Sequence, residues 1–209
     1  VLVRKVSEQQ LSLFKEMEKD GAREKDIRFL YLYTTLVGVW DNADFAVGLG
    51  KTRRQEFSFY PIRMVMENTF RLEHFTRQSV SEQKRIATEE ILRIAKRFYD
   101  MEKDNGRNGE EFKAHYQYFS QEGAYPEIDK VKERDLEPFP SMWDLTNKSK
   151  IEGNIHWYRH YQSLAERTHG KLMTLIIKEE HEISEHRLSL TYLQIMCNEL
   201  LKIADFHLG

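Results

Sequence analysis

The chain has one cysteine, Cys197, in 209 residues, which excludes an internal disulfide framework and any zinc site built on cysteines. Its place in an apolar helical pattern marks a buried thiol rather than a nucleophile, and its isolation suits a reducing cytoplasm. No apolar run approaches the roughly 18 residues that a membrane span needs. No signal peptide opens the chain, so a cytoplasmic location is expected and no membrane partner. Charge of one sign is lacking too: a formal net charge of −2 exerts no global pull on nucleic acid or anionic lipid, and such binding would need a local patch. Of the 4 prolines, three, Pro126, Pro138 and Pro140, fall in one polar stretch. There is no internal repeat and no low-complexity tract.

What is present is a globular composition, 40% apolar and 32% charged, long enough for one good core over residues 1–209. Hydrophobic periodicity predicts an all-α fold, a single helical bundle of six or seven helices. Ser7 can cap a first helix through Lys19. A second runs from about Glu24 to Val47, apolar nearly all round, so it is expected centrally or between two partners. Gly38 within it is expected to admit a neighbouring backbone. A helix stop and a solvated basic turn are expected at Gly48 to Arg54. The G-K-T there lacks the earlier glycine and preceding strand of a phosphate loop, but Lys51, Arg53 and Arg54 form the strongest local basic cluster and a candidate anion contact. A third helix spans Pro61 to about Gln78, and a fourth, opened by Ser81, spans Glu82 to Lys103. The turn N-G-R-N-G follows, then a short helix from Glu110 to Ser120. Residues 121–140 show no period and are expected to form an exposed excursion, a place for a lid. Ser141 and Asp144 resemble a capping box. After Gly170 comes an apolar run of ambiguous type, a charged stretch, and a last helix from Ser189 to Phe206.

The helix from Asn154 to Gly170 carries the densest polar and aromatic cluster. Asn154 can cap its start and Gly170 can end it. His156, His160, Ser163 and Arg167 share one face at helical spacing, while Trp157, Tyr161, Leu164 and Thr168 share the next. The third helix carries a second polar stripe, with Arg63, Glu67, Phe70 and His74 in line. Arg63 and Glu67 are spaced to touch one turn apart, in surroundings too apolar for a casual surface pair.

These two helices together resemble a bacterial family of all-α proteins to which no reaction is assigned. Its members carry Arg-x-x-x-Glu on one helix and, much later, spaced tyrosines followed by Ser-x-x-x-His. Arg63 and Glu67 match the first motif; Tyr158, Tyr161 and His169 match the second. The chain departs at Ala165, where the family has serine. The resemblance spans roughly Phe59 to Gly170 and implies that the two stripes face each other in one groove. On that arrangement, Arg63 would bind an anionic group, Glu67 would orient it or act as a base, His169 would carry protons and Tyr161 would donate a hydrogen bond.

Three functions are compatible with these residues. The first is a structural or partner-binding module, its stripes being hydrogen-bond networks that fix helix register, with a protein partner or a homo-oligomer. The second is an RNA-binding or ribonuclease role like that of HEPN helical domains in defence, in which Arg63, Arg167 and His169 would supply a cation and a proton carrier. Net charge gives that reading no support. The third is a DinB-like bundle in which His156 and His160, with His74 or His115, hold a single zinc, nickel or iron. A di-iron site is disfavoured because Glu166-x-x-His169 has no second copy. No cofactor is expected on the first reading.

Overall fold

The computed structural model describes residues 26–50, 55–120, 125–132, 136, 139–151, 156–168 and 179–208, with side chains at 50, 55–56, 167–168, 179–188 and 204–208 outside that description. Among the described residues the fold is all-α: seven α-helices, one 3-10 turn and no strand. The helices are α1 (Ile27–Gly50), α2 (Phe59–Thr76), α3 (Val80–Asp104), α4 (Glu110–Ser120), α5 (Met142–Lys148), α6 (Trp157–Thr168) and α7 (Glu179–Leu208), with the 3-10 turn at Gln55–Ser58. None of them is long and apolar enough to cross a membrane. The expected first helix, Ser7 to Lys19, lies outside the described residues, as do the basic cluster Lys51, Arg53 and Arg54 and the run after Gly170.

Contacts divide the chain into two compact units, Val1–Arg77 with Pro140–Gly209, and Gln78–Phe139. In the first, α2 is the helix around which the others are arranged, packing against α1, α5, α6 and α7. The sequence dictates that role. Phe59, Ile62, Val65, Met66, Thr69, Phe70, Leu72 and Phe75 of α2 are all buried, covering so much of the circumference that one neighbour could not shield them. Each large apolar side chain fully withdrawn from water contributes about 1.5–3 kcal/mol. The one buried hydroxyl, Thr69, returns its proton to the Val65 carbonyl at 2.7 Å. Helix α1 packs against both α2 and α7 and buries Tyr31, Leu32, Leu36, Val39, Trp40, Ala43 and Ala46. It runs to Gly50, inside the Gly48 to Arg54 stretch where its end is expected. At Gly38 a Cβ would meet nothing within 4 Å, so this glycine marks no close backbone approach. Its carbonyl instead accepts from Asn42 Nδ2 at 2.7 Å. In α7, which joins the charged stretch and the expected last helix into one element, Leu193, Met196, Cys197 and Leu200 are buried. Burial pushes the Cys197 thiol up to about 11, which keeps it protonated and unreactive at neutral pH.

The second unit is an antiparallel pair, α3 and α4, with the following segment folded onto it. Ser79, rather than Ser81, caps α3: its backbone is extended and its hydroxyl accepts from Glu82 N at 3.3 Å. At the other end Gly106 adopts φ +74, and Arg107 N–H reaches the Glu102 carbonyl at 2.8 Å, the six-to-one bond of a glycine-ended helix. Gly109, at φ +64, sits against the Tyr99 ring, whose Cδ2 a Cβ would meet at 2.8 Å. The core is Leu92, Ala95, Tyr99, Tyr116, Ile128, Val131 and Leu136. Three of these belong to the stretch expected to be an exposed excursion. Its described part is instead anchored: Tyr116 Oη donates to the Pro126 carbonyl at 3.0 Å, and Tyr99 Oη donates to Asp129, which also draws in Lys103 at 3.3 Å.

Candidate functional site

Helix α6 is locked to α2 by aromatic packing. Trp157 is buried and meets Phe70 of α2 edge to face, with centroids 5.8 Å apart, and Tyr192 of α7 at 5.4 Å. One turn further along α6, Tyr161 comes over the Arg63 and Glu67 turn of α2. Contacts therefore descend α2 as they ascend α6, so the two helices run antiparallel. Helical spacing does the rest, since Trp157 and Tyr161 share a face, as do Glu67, Phe70 and Arg71.

The resulting polar network has four members. Arg63 Nη2 donates to Tyr161 Oη at 3.4 Å, and Tyr161 Oη donates to Glu67 Oε2 at 3.4 Å. The other carboxylate oxygen of Glu67 accepts from Arg71 Nη2 at 2.9 Å. The Arg63 guanidinium carbon stands 5.4 Å from the centre of the Tyr161 ring, within range of the attraction between a cation and an aromatic face. Arg71 was not among the expected residues. Its signal was present in the sequence as Glu67-x-x-x-Arg71, acid before base one turn apart, which is the favourable order for a helix pair.

Exposed aromatic surface adjoins the network. Trp143 of α5, 55% exposed, meets Tyr158 at 4.9 Å with rings nearly perpendicular, and Tyr158 lies 6.5 Å from Tyr161 with rings near parallel. Trp143, Tyr158 and Tyr161 thus form a line of rings that runs from the surface to Arg63. Helix α5 is held in place by its cap, where Ser141 Oγ accepts from Asp144 N at 3.2 Å. The Lys148 carbonyl after that helix accepts from Arg77 Nη1 at 2.9 Å.

The histidines are arranged differently. His156 is exposed, while His160 is half-buried and its Nε2 lies 2.7 Å from the Tyr192 hydroxyl. Burial, and secondarily the neighbouring His156, push the His160 imidazole below its usual value, favouring the neutral ring. His74 is half-buried in the last turn of α2, where a basic group suits the helix dipole, and His115 is exposed on α4. Among the described residues no group of three or more His, Cys, Asp or Glu side chains is gathered as metal ligands would be. His169 and the side chain of Arg167 lie outside the described residues, as does the Asn154 cap. The structure therefore brings together Arg63, Glu67 and Tyr161, adds Arg71, and gives His160 to Tyr192, a partner that sequence spacing could not indicate.

Chemically, the network offers a cation beside a hydroxyl and a carboxylate that already accepts from two donors. It can fix the register of α2 against α6, and the line of rings reaches the surface at Trp143. Comparison with protein-family models, with curated proteins and with solved structures finds no match.

Proposed function

We propose that this chain is a partner-binding helical module of the cytoplasm, and that it receives a protein partner beside the contact between α2 and α6. The single observation carrying this reading is that Glu67 accepts from both Arg71 and Tyr161. Tyr161 of α6 ties this carboxylate to the second helix, and Arg71, on α2 itself, holds the carboxylate in place. Trp143, 55% exposed, connects to Tyr161 through Tyr158, and tryptophan and tyrosine are among the residues enriched where binding energy concentrates at protein interfaces.

The test uses the purified full chain and a surface variant, Trp143→Ala, that leaves the Glu67 network in place. A partner retained by the wild type and lost with Trp143→Ala, and then binding stoichiometrically when both proteins are pure, is the expected outcome. Two parallel measurements oppose it. RNA cleavage that disappears with Arg63→Ala would establish the ribonuclease reading. Stoichiometric metal that disappears with His156→Ala would establish the metal bundle.

A further inference from the structure

Helix α5 has 7 residues, fewer than the roughly 12–15 below which a helix is marginal by itself in water. Its position is therefore set by what it touches. The cap at its start does not supply that, because Ser141 and Asp144 belong to the same short segment. Leu145 and Thr146 are buried near its middle, and a single such anchor leaves a short axis free to tilt. A second attachment lies at the far end, and α2 provides it. Glu73, near the end of α2 and 13% exposed, accepts from the Lys150 backbone N–H at 2.6 Å and from Arg77 Nη1 at 3.4 Å. Arg77 Nη1 also donates to the Lys148 carbonyl at 2.9 Å, one of those that a helix C-terminus leaves without an internal partner. A carboxylate on a backbone N–H and a guanidinium on a backbone carbonyl are both charge-assisted bonds, stronger than neutral ones.

Trp143 stands at the opposite end of α5. It precedes Leu145 by two residues, about 200° around the axis and about 3 Å along it, so it reaches the surface where Leu145 is withdrawn. Lys148 lies about 4.5 Å beyond Leu145 in the other direction. The helix is a short lever with Leu145 as its pivot: holding the Lys148 end fixes where Trp143 lies against Tyr158. We propose that Glu73 and Arg77 are positioning residues for the Trp143 docking surface, acting through α5 without meeting the partner themselves. This rests on the reading of Trp143 as the residue that receives the partner. No helical spacing announces the clamp, because Glu73 and Lys150 are 77 residues apart in the chain and only folding brings the acid to that peptide.

Hydrogen exchange of the full chain, with fluorine NMR of the chain carrying fluorinated tryptophan, tests this. The Trp143 resonance is assigned by its loss in Trp143→Phe. In Glu73→Ala, exchange over residues 142–150 should quicken about tenfold or more. The Trp143 resonance should move, while Trp40 of α1 and the exchange of α1 and α7 stay as in the wild type. Arg77→Ala keeps the bond from Lys150 to Glu73 and should give a smaller change in the same direction, which guards against a folding defect in the first variant. Exchange and resonances unchanged in both variants overturn the clamp, as does a change spread equally over Trp40, α1 and α7. Binding then separates the clamp from the reading beneath it. A protein that the wild type binds and Trp143→Ala loses should bind Glu73→Ala about tenfold more weakly; undiminished binding with Trp143 displaced overturns the positioning role. Trp143→Ala without effect on binding overturns the docking surface, while the exchange and fluorine results on the clamp stand.

Discussion

Arg71→Ala should cost the fold far more than Tyr161→Phe, although of these two residues it is Tyr161 that reaches across from one helix to the other. The reasoning rests on distances and exposure. Both contacts of the Tyr161 hydroxyl are 3.4 Å, well beyond the about 2.7–2.8 Å usual for a hydroxyl bond. A hydrogen bond of normal length nets about 0.5–1.5 kcal/mol, so removing this hydroxyl should cost under about 1 kcal/mol. Arg71 holds Glu67 at 2.9 Å, with the two side chains 27% and 17% exposed. Breaking a fully buried pair costs about 3–5 kcal/mol and an exposed one about 0–1. The partial exposure places this pair between them, at about 2 kcal/mol. For a chain of this size that lowers the melting temperature by roughly 4–8 °C. The assay is thermal unfolding followed by tryptophan fluorescence, because Trp40, Trp143 and Trp157 all belong to the same unit as the network. The double variant should show a coupling of about 0.5 kcal/mol or more, since both residues act on one carboxylate. If Tyr161→Phe proves as costly as Arg71→Ala, the hydroxyl rather than the ion pair carries the brace, and the account of Glu67 given above is wrong.

Two further perturbations report on other parts of the molecule. Gly106→Ala meets no side chain but must hold φ +74, a cost of about 1–2 kcal/mol. Gly109→Ala pays the same backbone cost and also drives its Cβ into the buried Tyr99 ring, adding about 1–3 kcal/mol of overpacking. Far-ultraviolet circular dichroism melts should rank them in that order, and equal shifts would remove the Tyr99 contact from consideration. For His160, the folded value lies below the ordinary histidine value because of burial and then His156. The unfolded chain therefore binds the proton more readily. Its contribution to stability is complete above about pH 6.5 and declines as the pH falls from there toward the lower folded value. His160→Gln should flatten urea-denaturation midpoints across that window. An unchanged slope would mean that another group titrates there.

Much of the fold was legible because helix ends are local chemistry. Helix α4 runs from Glu110 to Ser120, starting directly after the expected turn. Even the shift of the α3 cap from Ser81 to Ser79 was readable, since Ser79-x-x-Glu82 is the capping-box pattern and only Ser79 has the extended backbone that a cap needs. The core residues after Ser120 were not legible for a different reason. Ile128, Val131 and Leu136 are too sparse to show a period, and they become core only when Asp129 and the Pro126 carbonyl are bonded to tyrosines on α3 and α4.

The same division explains what could be read of the site. Spacing along one helix places Arg63, Glu67 and Arg71 within reach of one another, and it places Trp157 beside Tyr161. Which helix lies opposite is a matter of packing. Once Trp157 enters between Phe70 and Tyr192, the position of every other group on α6 follows. Tyr161 must fall over Arg63 and Glu67, and His160, one residue earlier and turned about 100° around the axis, must fall toward α7. His160 therefore meets Tyr192, and the two stripes predicted on α6 part company: the tyrosine serves the contact with α2, and the imidazole serves the packing of α7.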